Sequence, residues 1–365
     1  MIVIADDITG AAEIAGIVFA RGEKVRLVCG DSVCCRANVT NTTMVIATDT
    51  RSMSEDEAVA ETRRVAAACG FPADHTMLFK KTDSALRGHV MAELVTLMKA
   101  TGYRRAVYIP ANPSKGRVIR NGVYLINDVP IHKTAFSYDP EFPAKNSLLQ
   151  ERFPNAEAQG ILMPDVESEE DIRQIITTYN DGKTLFAGAA DLFSVMLDVC
   201  GLGGKTQDAG TPGVPEGSSL ILCGSTQSKV LDVGFLLCPM PREVYDGVKT
   251  AGDWFAEVSV EWPMVNGLVL TIPYFGQTGK NIAIRLRTTM AEMTKRLVEI
   301  RRPDHLIIEG GATAWATLRQ LGWTQFFVEC QMAPGVVQMR AENGTLVTLK
   351  PGSYPWGDLF LKDKR

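Results

Sequence analysis

The sequence predicts an α/β protein of two domains, each a mainly parallel sheet flanked by helices, with a cleft between them. Three observations carry this expectation. Short apolar runs alternate regularly with amphipathic stretches, the pattern of strands joined by crossover helices. The length, 365 residues, suits two domains. Residues 201–218 (GLGGKTQDAGTPGVPEGS) are rich in Gly, Pro, Thr and Ser and lack apolar periodicity, so they read as a linker between domains at 1–200 and 219–365.

The first element sets the pattern for the rest. Residues 1–5 (MIVIA) read as a buried strand that runs directly into Asp6 and Asp7. Thr9 is the expected N-cap of the helix that follows, whose apolar face includes Ile14 and Val18. In open α/β sheets, ligands collect at the carboxyl ends of strands beside helix N-termini, where both aspartates fall. The plain alternative is that one aspartate caps the helix and the other is solvated.

Strands follow at residues 24–29 and 43–47, the latter ending in Thr48-Asp49-Thr50-Arg51-Ser52. A helix is predicted at 54–68, with Ser54 as N-cap and Glu57 completing a capping box. A short strand at 77–79 leads into Lys80-Lys81-Thr82-Asp83-Ser84-Ala85-Leu86-Arg87-Gly88, and helix pattern resumes at 89–99. A strand at 105–109 ends in a loop running from Pro110 to Arg117, and residues 118–126 read as a hairpin turning at Asn121-Gly122. Residues 127–146, with three prolines, read as a long ordered loop. Strands at 161–163 and 184–187 alternate with helices at 168–179 and 189–199. In the second half, strands are expected at 219–223, 268–272 and 305–308, with a helix at 280–300 and another that follows the Glu309–Ala314 turn and runs to Leu321. Strands at 326–330, 336–339 and 345–349 form a mixed tail.

Composition narrows the function classes. Hydrophobic residues are 45% and charged residues 22%, and the formal net charge is -4. This is ordinary globular composition with no basic surface for nucleic acid. The start carries no basic leader and no apolar stretch reaches membrane-spanning length, so a cytoplasmic protein is expected. The eight cysteines lack zinc-ligand spacing and read as reduced, largely buried thiols. The four histidines are scattered and read as structural.

Three consecutive strand ends carry charged clusters. At one edge of one sheet they form a floor of mixed charge suited to a small polyhydroxy anion. Arg51, Lys81, Arg87 and Arg117 can hold a carboxylate, the arginines bidentately. Asp7 and Asp83 can accept hydrogen bonds from hydroxyls. The second half offers small-residue turns after strands, at Gly224-Ser225 and Gly310-Gly311-Ala312-Thr313, where backbone N–H groups can cradle phosphate. The sequence has neither a Walker A loop nor a G-x-G-x-x-G fingerprint at the first strand, which argues against a dinucleotide fold and a nicotinamide oxidoreductase. Together the halves suggest phosphoryl transfer to a hydroxyl, with Asp83 as candidate base and Asp7 as the alternative.

The motifs resemble those of the four-carbon acid sugar kinase family. They are ADDITGA (from Ala5), TDTRS (from Thr48), KTDSALRG (from Lys81), PANPSKGRVIRNGVYLIND (from Pro110), FSYDPEFP (from Phe136), GGATA (from Gly310) and LKPGSYPWGD (from Leu349). The resemblance implies an ATP-dependent kinase acting on threonate, erythronate, their oxo derivatives or 4-hydroxythreonine. It implies an N-terminal acid-sugar domain and a C-terminal nucleotide domain. It places substrate contacts on Asp6, Asp7, Arg51, Lys81, Thr82, Asp83 and Ser84, and nucleotide contacts on Ser225, Gly310, Gly311, Ala312, Thr313 and Gly352. Magnesium is implied to arrive with the nucleotide, and a homodimer is compatible with the sequence. The run after Gly224 departs from the family's usual turn, which supports an alternative: a sugar-acid-binding protein of this fold with weak or lost kinase activity.

Overall fold

The structure, a computed structural model, describes residues 1–32, 42–71, 77–139, 142–202, 217–224, 234–276 and 279–352. Most of the expected linker, His75, Cys34, Cys35, Ser225 and the Thr226–Lys229 run lie outside the described residues. The chain divides into two compact units, Met1–Thr206 and Gln207–Arg365. Both are α/β.

The first unit contains β1 (Ile2–Ala5), α1 (Ile8–Ala20), β2 (Val25–Cys29), β3 (Thr43–Ala47), α2 (Glu55–Ala68), β4 (Leu78–Lys81), α3 (Val90–Thr101) and β5 (Arg105–Ile109). Next come β6 (Arg117–Arg120), β7 (Val123–Ile126), β8 (Val129–Pro130), α4 (Leu149–Arg152), β9 (Ile161–Leu162), α5 (Glu169–Tyr179), β10 (Thr184–Gly188) and α6 (Ala190–Val199). The main sheet has the order β2-β3-β1-β4-β10-β5-β9, with every pair parallel. Helices α2 and α3 pack together, as do α1 and α6, and α5 and α6.

Register is what makes a site here. Ala5 pairs with Ala47 and with Lys81, Lys81 with Gly188, and Gly188 with Ile109. Five strands therefore end at one level, and the polar segments after β1, β3, β4 and β5 leave from one edge. The apolar residues Ile2, Val3, Ile4 and Ala5 are all buried, so β1 is locked into this register from both sides.

The hairpin of β6 and β7 turns at Asn121 and Gly122, with φ of 50° and 72°. Two consecutive left-handed residues are what a tight primed turn requires. The Asp165 carboxylate accepts both turn N–H groups at 2.8 Å. The expected long loop after it is more structured than its composition suggested: it holds β8 and two 3-10 turns, Ile131–Lys133 and Ala135–Tyr138.

The second unit contains β11 (Ser219–Cys223), β12 (Leu236–Pro239), α7 (Arg242–Tyr245), α8 (Ala251–Val258), β13 (Gly267–Thr271), α9 (Lys280–Ile300) and β14 (His305–Glu309). It ends with α10 (Gly311–Leu321), β15 (Gln325–Ala333), β16 (Val336–Ala341) and β17 (Leu346–Lys350). Its sheet runs β12-β13-β11-β14-β17 in parallel, then β17-β16-β15 antiparallel. The sequence reading places no strand or helix between the turn after Gly224 and residue 268, although Thr250 and Asp253 form a capping box that marks the start of α8.

Two local expectations are corrected. The cap of α1 is Asp7, not Thr9; the Thr9 hydroxyl instead donates to Asp7 at 2.5 Å. Strand β4 extends through Lys80 and Lys81, both buried, because neighbouring carboxylates let it carry lysines into the sheet.

His305 is fully buried on β14, where Nε2 lies 2.7 Å from the Thr348 hydroxyl. Burial holds its imidazole down to about 4. Below the ordinary value of 6.5 the unfolded chain takes up a proton that the folded chain refuses, so stability falls as pH drops from 6.5 to 4. The expected loss is about 3 kcal/mol over that window. His305→Gln should flatten the slope, as read by urea denaturation across the same pH range.

Candidate active site

The first loop after β1 supplies two aspartates with different tasks. Asp7 caps α1: its Oδ1 accepts the Gly10 N–H at 2.9 Å. A Cβ on Gly10 would stand 2.6 Å from that oxygen and 3.3 Å from Lys81 Nζ, so glycine is what lets the charges close over the helix end. Asp6 does not cap and is not solvated. It is 1% exposed and receives Arg51 in a bidentate fork, Nε at 3.2 Å and Nη2 at 2.9 Å.

Arg51 sits in the 3-10 turn Thr50–Ser52, entered through Asp49 at φ 55°. Its Nη2 also lies 3.1 Å from Asp7 and 3.7 Å from Asp83. One guanidinium thus bridges carboxylates from two separate segments. Burial pushes the Asp6 carboxyl up, and Arg51 only partly offsets this, so it stays above its ordinary value. For Asp7, burial is outweighed by Arg51 and Lys81, and the carboxyl falls below its ordinary value.

The loop after β4 is folded around Asp83. Its carboxylate accepts the Ala85 N–H at 3.0 Å and the Arg87 N–H at 3.3 Å, and takes the Arg87 side chain in a second fork at 2.8 and 2.9 Å. Burial opposes ionisation, but Arg51 and Arg87 prevail and hold Asp83 far below the usual carboxylate range. Leu86 adopts φ 63° while buried, and its carbonyl is held by Arg152 at 2.8 Å. A left-handed leucine is costly, and such strain concentrates at functional sites.

The remaining charges close the ring. Lys81 Nζ lies 3.5 Å from Glu13, whose other oxygen meets Lys115 at 2.7 Å. Arg87 also lies 3.5 Å from Asp139. Arg117 donates to the Ser84 hydroxyl and packs over the Phe136 ring at 5.5 Å, and Arg87 lies 5.9 Å from the same ring. The Tyr124 hydroxyl donates to the Ser84 carbonyl, fixing that residue from the hairpin side. Among the described residues, Arg117 has no carboxylate within 4 Å.

Of the residues expected at the acid-sugar site, Asp6, Asp7, Arg51, Asp83, Ser84, Arg87 and Arg117 join one contact network, and Lys81 acts on Asp7 and Asp83 through its charge. Thr82 is fully buried in the same loop, and its N–H pairs with Gly188. Sequence reasoning missed Glu13, Lys115, Tyr124, Phe136 and Asp139 as participants. Phe136 and Asp139 lay within a matching motif but offered no spacing signal, because a 3-10 turn and not a strand end delivers them.

In the second unit, Cys223 pairs with Glu309 and Glu309 with Lys350, so Gly224, Gly310 and Gly352 all follow strand ends at one edge. Gly310, at φ 95°, precedes α10 with no side-chain cap, leaving first-turn N–H groups for an anion. A Cβ on Gly224 would stand 2.1 Å from the Thr313 hydroxyl oxygen, so that glycine is what seats the turn at Thr313. Gly311 and Ala312 form the first turn of α10 beside it. Among the described residues, no cluster of three or more His, Cys, Asp or Glu could hold a metal ion, and no helix is long and apolar enough to cross a membrane.

The family model described as a sugar-binding N-terminal domain matches residues 1–159, and a nucleotide-binding C-terminal domain matches residues 275–354. A 3-oxo-tetronate kinase of Methylobacterium radiotolerans is 27% identical, over 98% of this chain and 96% of that protein. A D-threonate kinase of Salmonella typhimurium is 33% identical over 153 residues, covering 41% of this chain and 35% of that protein. A D-erythronate kinase of Heliobacterium modesticaldum is 30% identical over 41% of this chain and 34% of its own length. The crystal structure of a Haemophilus influenzae protein superposes with a TM-score of 0.71 at 22% identity, covering 99% of this chain and 98% of that one, which shows a shared fold. These matches define an enzyme of the phosphotransferase class with an alcohol group as acceptor. The chain belongs to the four-carbon acid sugar kinase family.

Proposed function

We propose that this protein is an ATP-dependent kinase that phosphorylates a hydroxyl of a four-carbon acid sugar: threonate, erythronate, 3-oxo-tetronate or 4-hydroxythreonine. The observation that carries the reading is Arg117, which among the described residues meets no carboxylate, at the rim of a ring of paired charges. Arg51, Lys81, Arg87 and Lys115 each meet a carboxylate there, so Arg117 is the guanidinium placed to receive the substrate carboxylate bidentately. Arg87, sharing the Phe136 ring, supports it. Asp6, Asp7, Arg51, Lys81, Thr82, Asp83 and Ser84 surround the hydroxyls.

ATP is held through Gly310, Gly311, Ala312, Thr313 and Gly352, with Ser225 as a further contact. The N–H groups of α10's first turn receive the phosphates. Magnesium, when bound, neutralises phosphate charge and comes with the nucleotide. Phosphoryl transfer runs through a loose transition state in which positioning outweighs early proton removal. Asp83, kept ionised by two arginines, is suited to orient the attacking hydroxyl and take its proton late, with Asp7 the alternative.

A coupled ADP-release assay over a panel of four-carbon acids tests the reading. Turnover on at least one acid is expected. No turnover with a retained acid-induced thermal shift would instead favour a sugar-acid-binding protein. Asp83→Asn should lower kcat at least about a hundredfold, the scale of a lost general base, while the acid KM moves far less. Unchanged kcat would remove Asp83 from the chemistry.

A further inference from the structure

Beneath the ring of charges lies an ionic pair that the proposed reaction does not use. Lys80 precedes Lys81 on β4, and strand alternation sends it to the opposite face of the sheet. It is 0% exposed and meets Glu93 of α3, itself 1% exposed, with Nζ to Oε2 at 2.5 Å. The same Oε2 accepts the Thr50 hydroxyl at 2.8 Å. Thr50 Oγ1 lies 3.0 Å from Thr48 Oγ1, and Thr48 Oγ1 donates to the Ala5 carbonyl at 2.9 Å. A hydrogen bond therefore links the buried pair to the turn that carries Arg51; each threonine hydroxyl spends its one proton elsewhere, so Thr48 meets Thr50 as a close polar neighbour and not through a further hydrogen bond.

Stability alone gives this pair little reason to exist. Replacing a buried ion pair by apolar groups of similar volume is often neutral or stabilising, whereas removing one partner leaves an uncompensated charge. The consequence visible here is geometric. Thr50 opens the 3-10 turn Thr50–Ser52, and its hydroxyl anchors that turn to Glu93. The Arg51 fork onto Asp6, and its reach to Asp7, depend on where that turn sits.

We propose that Glu93 and Lys80 are positioning residues that fix the Arg51 turn through Thr50 and thereby set affinity for the acid sugar. The substrate half of this statement rests on the kinase reading above. The geometric half does not.

The test uses the full chain with Thr50→Val, which removes only the hydroxyl, and the double variant Lys80→Met/Glu93→Leu, which leaves no lone buried charge. Arg51 Nε–H exchange is followed by NMR on arginine-labelled protein, assigned through Arg51→Lys, beside KM and kcat for the acid and the thermal midpoint. In both folded variants, exchange at Arg51 should quicken at least tenfold. The acid KM should rise at least fivefold, with a smaller change in kcat and in the nucleotide KM. Thr50→Ser, which restores the hydroxyl, should return both readouts to wild type. Unchanged exchange and KM in folded Thr50→Val and in the double variant would overturn the proposal, and the mild Thr50→Val keeps it decidable if the double variant fails to fold. If wild-type protein turns over no four-carbon acid, the kinase reading fails while the exchange measurement still decides the positioning role.

Discussion

Arg51→Ala is expected to remove about 3–5 kcal/mol of folding stability, the scale for breaking a buried ion pair from one side. The guanidinium is the shared partner of Asp6, Asp7 and Asp83, whose residues are 1%, 8% and 8% exposed. Its loss leaves Asp6 and Asp7 adjacent, with Lys80, Lys81 and the α1 N-terminus as the positive groups that still act on them. Urea denaturation should show a lower midpoint with an unchanged slope. Arg51→Ala/Asp6→Asn should recover part of the loss, because one of the repelling charges is gone.

The pH dependence checks the same cause. In the wild type, Asp7 and Asp83 lie below their ordinary values, so the stability they contribute is present above about pH 4 and is lost as pH falls through their folded values. Without Arg51 that acid limb should become shallower. A full-strength acid limb in a folded Arg51→Ala protein would show that Arg51 is not what holds these carboxylates ionised.

Arg117→Ala is expected to act on binding and hardly at all on folding. Its side chain bonds to Ser84 and stacks on Phe136, arginine and ring both half-buried, and a stack of this type is worth about 1 kcal/mol. The thermal midpoint should therefore move by only a few degrees. A charged hydrogen bond is worth about 1.5–3 kcal/mol, so the acid KM should rise about tenfold to a hundredfold. Arg117→Lys should recover only part, since an ammonium restores charge but not the planar fork. Selectivity for a four-carbon acid over the uncharged polyol of the same length should fall in parallel. An unaltered KM would move the carboxylate site away from Arg117.

Much of this was legible in the chain itself. Apolar runs as plain as those of β1, β3, β5 and β11 have their ends where period and flanking residues place them, and Ser54 with Glu57 forms the capping box expected of α2. The misreadings share a cause: a local preference lost to a longer-range partner. Thr9 has good capping chemistry, but it lies inside the helix, whereas Asp7, two residues earlier, directly precedes it and is held there by Arg51. Lys80 and Lys81 look like the end of a strand until Glu93 and Glu13 are brought up to them. The stretch from β12 to α8 carries no long periodic pattern to read.

The sequence by itself determined the α/β class, most of the element order and the family, because periodicity, caps and contiguous motifs are local properties of a chain. It also named most of the charged side chains that meet at the end of the first sheet. Only the tertiary structure decided how those charges are spent: that Arg51 is committed to three aspartates, that Asp83 is an arginine-bound carboxylate, and that Arg117 has no carboxylate partner among the described residues. Pairing among ions depends on which segments the strand register brings within about 4 Å, and at that range attraction and burial shift the balance by several kcal/mol, which linear spacing does not encode.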